Sequence, residues 1–310
     1  MKELVEVYNK KNSSYRRTFV FRLGNEAGFF SEFNNMVLAL IFCLKNNIRF
    51  SFFSKHANFA LKEGWNDFFL PFCKEDKREF HRTYNFRPFL VNSRKKKYLA
   101  KAYKLVYGID YLTQDLWDSF TKPVCKEETF SFPDLKLKDA GLLDAAKQII
   151  SLIWRYNTQS KAIINQFKEF VNLPEDFISI HIRSGDKSIE DKLFNIDEYM
   201  SVAAMHSISK NAFILTDDYT LIEELNEKYS NWSFFTLCYP SERGYFHKEF
   251  QKKDKEFKYM QHLKLFANIE ICANSKKFIG TYSSNIGMYM GMRCGESFCH
   301  CLDSESWIIR

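Results

Sequence analysis

Polar side chains follow three short apolar runs in the second half of the sequence. The three polar segments are His181-Ile182-Arg183-Ser184-Gly185-Asp186-Lys187, Thr216-Asp217-Asp218 and Thr281-Tyr282-Ser283-Ser284-Asn285. Arginine carries a planar guanidinium group that can bind a phosphate through two hydrogen bonds. A hydroxyl-bearing loop at the start of a helix also suits phosphate, because the backbone N–H groups and the helix dipole favour anions there. These residue types therefore predict a nucleotide-diphosphate site.

The three polar segments come at the ends of predicted strands. Apolar runs typical of buried strands cover 177–182, 212–215, 232–237 and 277–279, and helices are expected at 196–209, 219–228, 258–273 and 286–293. This alternation predicts a parallel sheet covered by helices on both faces. Ligands of such sheets bind beyond the carboxyl ends of the strands, so the three segments should meet there. As an alternative, Ser283 and Ser284 only cap the following helix.

The first half begins with a similar order of strand, turn, helix and strand. Strands are expected at 18–23 and 48–53 with a helix at 29–46 between them, and 141–170 is expected to be helical. The first turn is Arg22-Leu23-Gly24-Asn25-Glu26, in which Gly24 and the nearby Gly28 would let the backbone approach a ligand closely. Residues 60–130 predict no clear order of elements. Their aromatic run is expected to pack a helix into the core rather than stack sugars; it comprises Trp65, Phe68, Phe69 and Phe72.

Composition excludes several classes of protein. The chain has 310 residues, of which 45% are hydrophobic and 17% aromatic, so it is neither disordered nor of low complexity. No apolar stretch reaches the roughly 18–20 residues of a membrane span. The start of the chain lacks the apolar core of a secretory signal, so we expect a cytoplasmic protein with reduced cysteines. The cluster of Cys294, Cys299, His300 and Cys301 lacks a second group of ligands, so no metal site is expected.

The net charge of +7 is unevenly spread. Residues 1–170 carry +11 and residues 171–310 carry −4. The densest basic run is Arg94-Lys95-Lys96-Lys97, followed by Lys101 and Lys104. Such a run is most often a solvated face, and the functional alternatives are contact with an anionic glycan or with an anionic membrane at its inner face. No nucleic-acid-binding motif accompanies it, so no nucleic-acid partner is expected.

Several segments resemble the α1,6-fucosyltransferases and the related protein O-fucosyltransferases. The 181–187 segment resembles the α1,6 enzymes' His-x-Arg-Arg-Thr-Asp-Lys motif, and 194–200 resembles the segment that follows it. Leu215-Thr216-Asp217-Asp218 resembles their Ala-Thr-Asp-Asp strand end, and 278–285 resembles their Cys-Thr-Phe-Ser-Ser-Gln stretch. The 22–26 loop resembles the Arg-Phe-Gly-Asn-Gln loop of the protein O-fucosyltransferases. The motifs follow the family's order, and the close match covers about 178–290.

The resemblance implies a GT-B-like α/β fold with two Rossmann-like domains facing a central cleft. The acceptor-side domain would span 1–170 and the GDP-sugar-binding domain 171–310. The implied reaction is inverting transfer of fucose from GDP-fucose to a hydroxyl of a glycan or glycolipid, such as a surface polysaccharide or lipopolysaccharide, with no cofactor and no metal. Ser184 replaces the motif's second arginine, and Asn268 stands where the family has an aspartate near guanine. Transfer from another GDP- or UDP-sugar, or an inactive glycan- or nucleotide-binding module, are therefore alternatives.

The motifs and the resemblance together indicate individual site residues. The expected donor-binding residues are Gly24, Asn25, His181, Arg183, Asp186, Lys187, Asp217, Asp218, Asn268, Thr281, Ser283 and Ser284. Arg183 would also stabilise the negative charge that develops on the leaving GDP. The acceptor hydroxyl needs a general base. The carboxylate candidates are Asp191, Glu190, Glu26 and Glu32, and His181 is a weaker candidate.

Overall fold

A computed structural model describes residues 2–24, 27–88, 93–121, 128–184 and 194–309 of the chain. The chain forms two compact units, one ending at Asn157 and one spanning Thr158–Ile309. None of the helices in the described ranges is long and apolar enough to cross a membrane. The cysteines within these ranges are free thiols: Cys43, Cys73, Cys238, Cys272, Cys294, Cys299 and Cys301.

The first unit is built on a parallel sheet with strand order β2-β1-β3 and a separate antiparallel pair, β4-β5. Its strands are β1 (Arg17–Arg22), β2 (Ile48–Phe53), β3 (Tyr111–Leu112), β4 (Phe130–Phe132) and β5 (Leu137–Ala140). Its helices are α1 (Lys2–Ser14), α2 (Phe29–Lys45), α3 (His81–Tyr84), α4 (Arg94–Tyr107), α5 (Thr113–Thr121) and α6 (Leu142–Ile153). The expected strand–helix–strand order of 18–53 is confirmed.

An aromatic core supports this first sheet. Trp65, Phe68, Phe69 and Phe72 are each no more than 1% exposed, so the expectation that they are core residues is confirmed. The expectation that this run forms a helix is wrong, because the only helical element there is a single 3₁₀ turn at Gly64–Asp67. The Trp65 ring stacks on Phe69 at a centroid distance of 4.2 Å, and aromatic pairs of this kind add to the free energy gained by burial.

The second unit is built on a five-stranded parallel sheet with strand order β10-β9-β6-β7-β8. Its strands are β6 (Ile178–His181), β7 (Asn211–Leu215), β8 (Ser233–Phe235), β9 (Phe278–Gly280) and β10 (Cys299–Cys301). Its helices are α7 (Thr158–Val171), α8 (Ile196–His206), α9 (Thr220–Lys228), α10 (His247–Lys252), α11 (Lys255–Ala273) and α12 (Asn285–Cys294). The predicted α/β class with parallel sheets is confirmed.

The boundary between the units lies at residues 157 and 158, ahead of the position 170 expected from the sequence. The predicted helical segment 141–170 is two helices, α6 and α7. Helix α7 packs against α11 and therefore belongs with the second unit.

Local sequence signals fix the helix ends that surround the second sheet. Helix α8 begins at Asn195, which forms a reciprocal capping box with Glu198. Helix α11 begins at Asp254, whose carboxylate accepts a hydrogen bond from the Phe257 N–H. Helix α12 ends at Gly295, whose φ of 94° is unfavourable for other residues.

Candidate functional site

His181 is the last residue of β6 and lies beneath the carboxyl edge of the sheet. It is 5% exposed, and its Nδ1 lies 3.5 Å from the Ser284 Oγ. Burial, together with the nearby positive charge of Arg183, lowers the pKa of His181 to about 3. The imidazole is therefore neutral near pH 7. The sequence-based view that His181 orients a neighbouring loop fits this position better than proton transfer does.

Arg183 and Ser184 begin the loop after β6. The Arg183 guanidinium carbon lies 6.0 Å from the centroid of the Tyr245 ring. The Ser184 N–H donates to Asp217 Oδ1 at 2.9 Å, and its hydroxyl donates to Asp218 Oδ2 at 3.2 Å. Ser184, at the position of the second arginine in the α1,6-fucosyltransferase motif, thus fastens this loop to the end of β7.

Asp217 and Asp218 use their carboxylates to hold loops together. Asp217 Oδ2 accepts a hydrogen bond from the Tyr245 N–H at 2.8 Å, and its backbone carbonyl accepts one from the Gly244 N–H at 2.8 Å. Asp218 Oδ1 accepts from the N–H and the hydroxyl of Thr220, at the start of α9. The two aspartates therefore connect the loops that follow β6, β7 and β8, and they position Arg183 near Tyr245.

The loop between β9 and α12 contains the expected hydroxyl residues. Ser284 is 3% exposed; its Oγ accepts from the Gly287 N–H at 2.9 Å and donates to the Thr281 carbonyl at 2.9 Å. Ser284 therefore caps the N-terminus of α12, as the alternative interpretation expected. Thr281 and Ser283 are half-buried. A Cβ at Gly287 would lie 1.9 Å from the Thr281 carbonyl oxygen, so this close turn requires glycine.

Asp303 was not identified from the sequence, and it holds this same loop. Its Oδ1 accepts a hydrogen bond from the Tyr282 N–H and its Oδ2 one from the Ser283 N–H, both at 2.7 Å. Both N–H groups belong to the loop at which the sequence predicts a phosphate site. A phosphate at this loop must therefore use other donors or displace the carboxylate. Asp303 follows β10, so the strand-end rule that found the other segments would have found it had β10 been recognised.

Asn268 lies on α11, one turn after Lys264. Its Nδ2 donates to the Lys264 carbonyl at 2.9 Å, whereas its Oδ1 is buried and has no hydrogen-bond partner among the described residues. Lys264 is 6% exposed; its Nζ lies 2.6 Å from Glu242 Oε1 and 3.9 Å from the centroid of the Tyr239 ring. Glu242 belongs to the loop after β8, and its carbonyl accepts from the Tyr219 N–H. A buried acceptor without a donor is costly, so a ligand N–H would find a partner at Asn268.

In the first unit, Gly24 is required by the protein's own packing. Its φ is +74°, and a Cβ there would lie 2.4 Å from the Ala57 Cβ. Its N–H donates to Glu32 Oε2 at 3.3 Å. Glu32 is 0% exposed and pairs with Arg87 Nη2 at 3.1 Å, so among the described residues its carboxylate already has protein partners, which does not favour it as the base. Gly28 precedes α2 in open space and needs no glycine for steric reasons.

Six of the expected site residues lie outside the described residues. They are Asn25, Glu26, Asp186, Lys187, Glu190 and Asp191. Within the second unit, the structure brings together His181, Arg183, Asp217, Asp218 and the loop 281–284 at one edge of the sheet.

Known α-1,6-fucosyltransferases have the same fold. A crystal structure of NodZ alpha-1,6-fucosyltransferase soaked with GDP-fucose aligns with a TM-score of 0.53 and 13% identity over 89% of this chain and 92% of that chain. Fucosyltransferase NodZ from Bradyrhizobium aligns with a TM-score of 0.50 and 12% identity over 92% of this chain and 94% of that one. No protein-family model matches the sequence, and no similar curated protein was found. The resemblance noted in the sequence is therefore confirmed in the fold.

Proposed function

We propose that this protein is an inverting glycosyltransferase that transfers fucose from GDP-fucose to a hydroxyl of a glycan or glycolipid. The observation that carries the proposal is the strand-end site of the second unit, where Arg183 and the loop 281–284 lie at the carboxyl edge of a parallel sheet. This is the edge at which α/β proteins bind their ligands. The fold likeness to a fucosyltransferase soaked with GDP-fucose supports the choice of donor.

In this proposal the second unit binds the donor. Arg183 contacts the diphosphate through its guanidinium group, and the hydroxyls of Thr281 and Ser283 add neutral donors. Asp217 and Asp218 position the loops rather than contact the nucleotide, since their carboxylates already accept hydrogen bonds. Asn268 is the proposed acceptor for an N–H of the base, which requires a side-chain movement that exposes its buried Oδ1. Guanine and uracil both present such an N–H, so the choice of base is a question for experiment.

The proposed reaction is a single displacement at the anomeric carbon of the sugar. The acceptor oxygen forms the new bond while the bond from that carbon to the phosphate oxygen breaks, and the bonding electrons leave with GDP. Arg183 stabilises the charge that develops on the leaving group. The acceptor proton passes to a carboxylate, for which Asp191 or Glu190, or else Glu26, are the proposed bases. We propose no cofactor and no metal for this step.

Thermal unfolding with nucleotides tests the donor site. The full chain, Arg183→Ala and the exposed control Arg16→Ala would be measured with GDP, UDP, CDP, AMP and GDP-fucose. A ligand at a hundred times its Kd stabilises the folded state by about 2.7 kcal/mol. We expect a shift with GDP and GDP-fucose that Arg183→Ala loses and Arg16→Ala keeps. A shift with UDP alone would contradict the proposal that GDP-fucose is the donor. No shift with any nucleotide would contradict the proposal that the strand ends form a nucleotide site.

Turnover separates an enzyme from an inactive binding module. GDP release from GDP-fucose would be followed with candidate glycans for wild type, Asp191→Asn, Glu190→Gln and Glu26→Gln. Loss of the general base should lower kcat by about 10²–10⁴ while leaving the GDP-induced thermal shift intact. GDP binding without any hydrolysis or transfer would favour the binding module.

A further inference from the structure

Helix α4 of the first unit is strongly basic. Its sequence, Arg-Lys-Lys-Lys-Tyr-Leu-Ala-Lys-Ala-Tyr-Lys-Leu-Val-Tyr, contains six basic residues and no acidic one. Lys104 is neutralised by Asp115 at 2.8 Å. The remaining five, Arg94, Lys95, Lys96, Lys97 and Lys101, are exposed, and within the described part of the chain no ion pair involves them.

One face of α4 is anchored to the unit by aromatic packing. The Tyr103 ring stacks on Phe80 at a centroid distance of 5.2 Å, and the Tyr107 ring stacks on Phe80 at 5.0 Å. Ala100, on the same face, is 3% exposed and belongs to the core cluster around Phe80. The orientation of the helix about its axis is therefore fixed, and so is the face that points to solvent.

The solvent face combines positive charge with large apolar side chains. Arg94, Tyr98, Lys101 and Leu105 follow one another at spacings of four, three and four residues, which places them in one stripe along the helix. Tyr98 is 74% exposed, Leu105 is 86% exposed, and the neighbouring Val106 is 73% exposed. A basic helix that only faces solvent does not need exposed apolar side chains. The interpretation of the basic run as a solvated face therefore does not explain Tyr98, Leu105 and Val106.

Anionic lipid is the partner that satisfies both properties of this face. A helix lying in a bilayer interface buries apolar side chains at the level of the headgroups, while lysines beside them attract anionic lipid. Lysine stems reach outward along such a surface and keep their charge in water. The phosphate backbone of a nucleic acid would use the lysines but would give Leu105 and Val106 nothing to contact. We propose that α4 binds the surface of a bilayer containing anionic phospholipid, with Tyr98, Leu105 and Val106 inserted at the interface.

Two kinds of substitution test the two halves of this interaction. Each lysine beside an anionic surface contributes roughly fivefold to the partition coefficient, so Lys97→Ala/Lys101→Ala should lower binding by about twentyfivefold. Leu105→Ser should lower binding by about tenfold or more, because an inserted aliphatic group is lost. The matched controls are Lys147→Ala/Lys161→Ala, which removes two exposed lysines elsewhere, and Ile208→Ser, which removes a side chain that is 100% exposed.

The experiment is co-sedimentation of the full chain with vesicles of phosphatidylcholine, with and without phosphatidylglycerol. We expect binding only to the vesicles with phosphatidylglycerol, weakened by salt, reduced in both α4 variants and unchanged in both controls. An unchanged melting temperature would show that the variants fold, as expected for exposed positions. Three outcomes would overturn the proposal: no vesicle binding, an equal loss in the controls, or full binding by Leu105→Ser. Binding to nucleic acid or heparin without vesicle binding would assign α4 to a different partner.

Discussion

Asp303→Asn is the substitution that most directly tests how the loop 281–284 is held. The carboxylate accepts two backbone hydrogen bonds, from Tyr282 and Ser283, both at 2.7 Å. Asparagine has nearly the same shape, but one oxygen becomes an NH₂ group that faces a backbone N–H. A hydrogen bond to a charged group contributes about 1.5–3 kcal/mol. Because Asp303 is half-buried and asparagine keeps one of the two bonds, we expect the free energy of unfolding to fall by about 2 kcal/mol, within the range for the one bond that is lost.

The assay for Asp303→Asn is urea unfolding together with calorimetric titration of GDP. The exposed Asp118→Asn on α5 is the control, because it removes the same charge far along the chain from this loop. If the loop contributes to donor binding, the loss of one of its hydrogen bonds should lower the affinity for GDP by about tenfold. This change corresponds to 1.4 kcal/mol of binding free energy. Wild-type stability and wild-type affinity in Asp303→Asn would refute this reasoning. Tighter GDP binding would refute it differently, by showing that Asp303 competes with the phosphate for the two N–H groups.

Four further substitutions test single positions described above. Ser284→Ala removes the cap of α12 and should cost about 1 kcal/mol in urea unfolding. Gly24→Ala should be destabilising by at least about 2 kcal/mol, since its Cβ would collide with Ala57, whereas Gly28→Ala should be near neutral in the same assay. The pKa of His181 falls to about 3 in the folded state, below its ordinary value of 6.5, so as the pH drops below 6.5 the unfolded chain takes up a proton that the folded chain does not. Stability should therefore fall by about 1.4 kcal/mol per pH unit from this group, and stability measured from pH 7 to 5 should fall less steeply in His181→Gln.

The central strands of the second unit could be predicted because their residues are uniformly apolar. All four residues of β6 are buried, and a continuous apolar run at this length is typical of a strand covered on both faces. The polar ends of β6, β7 and β9 could then be assigned to one edge of the sheet. The edge strand β10 could not be predicted, because Cys299-His300-Cys301 is not part of an apolar run. These three residues form a strand through their pairing with β9.

The partners of the site residues could not be predicted, because they are far apart in the sequence. Asp217 binds the backbone at Ser184 and Tyr245, which lie 33 and 28 residues away. Nothing in the local pattern shows that its carboxylate serves other loops rather than a ligand. The reason for a glycine at position 24 could not be predicted either. Glycine is needed there because a Cβ would collide with Ala57, and not because a ligand approaches the backbone.

The strand order of the second sheet has a consequence for how the protein folds. Strand β6 lies in the centre, and its neighbour β9 pairs Ser179 with Phe278, about a hundred residues further along the chain. Contacts this distant in sequence slow folding, because the intervening chain must be closed into a loop first. During synthesis the edge that carries His181 and Arg183 stays incomplete until β9 and β10 have been made. The first unit, whose parallel sheet needs only residues 17–112, can form its pairing long before that point.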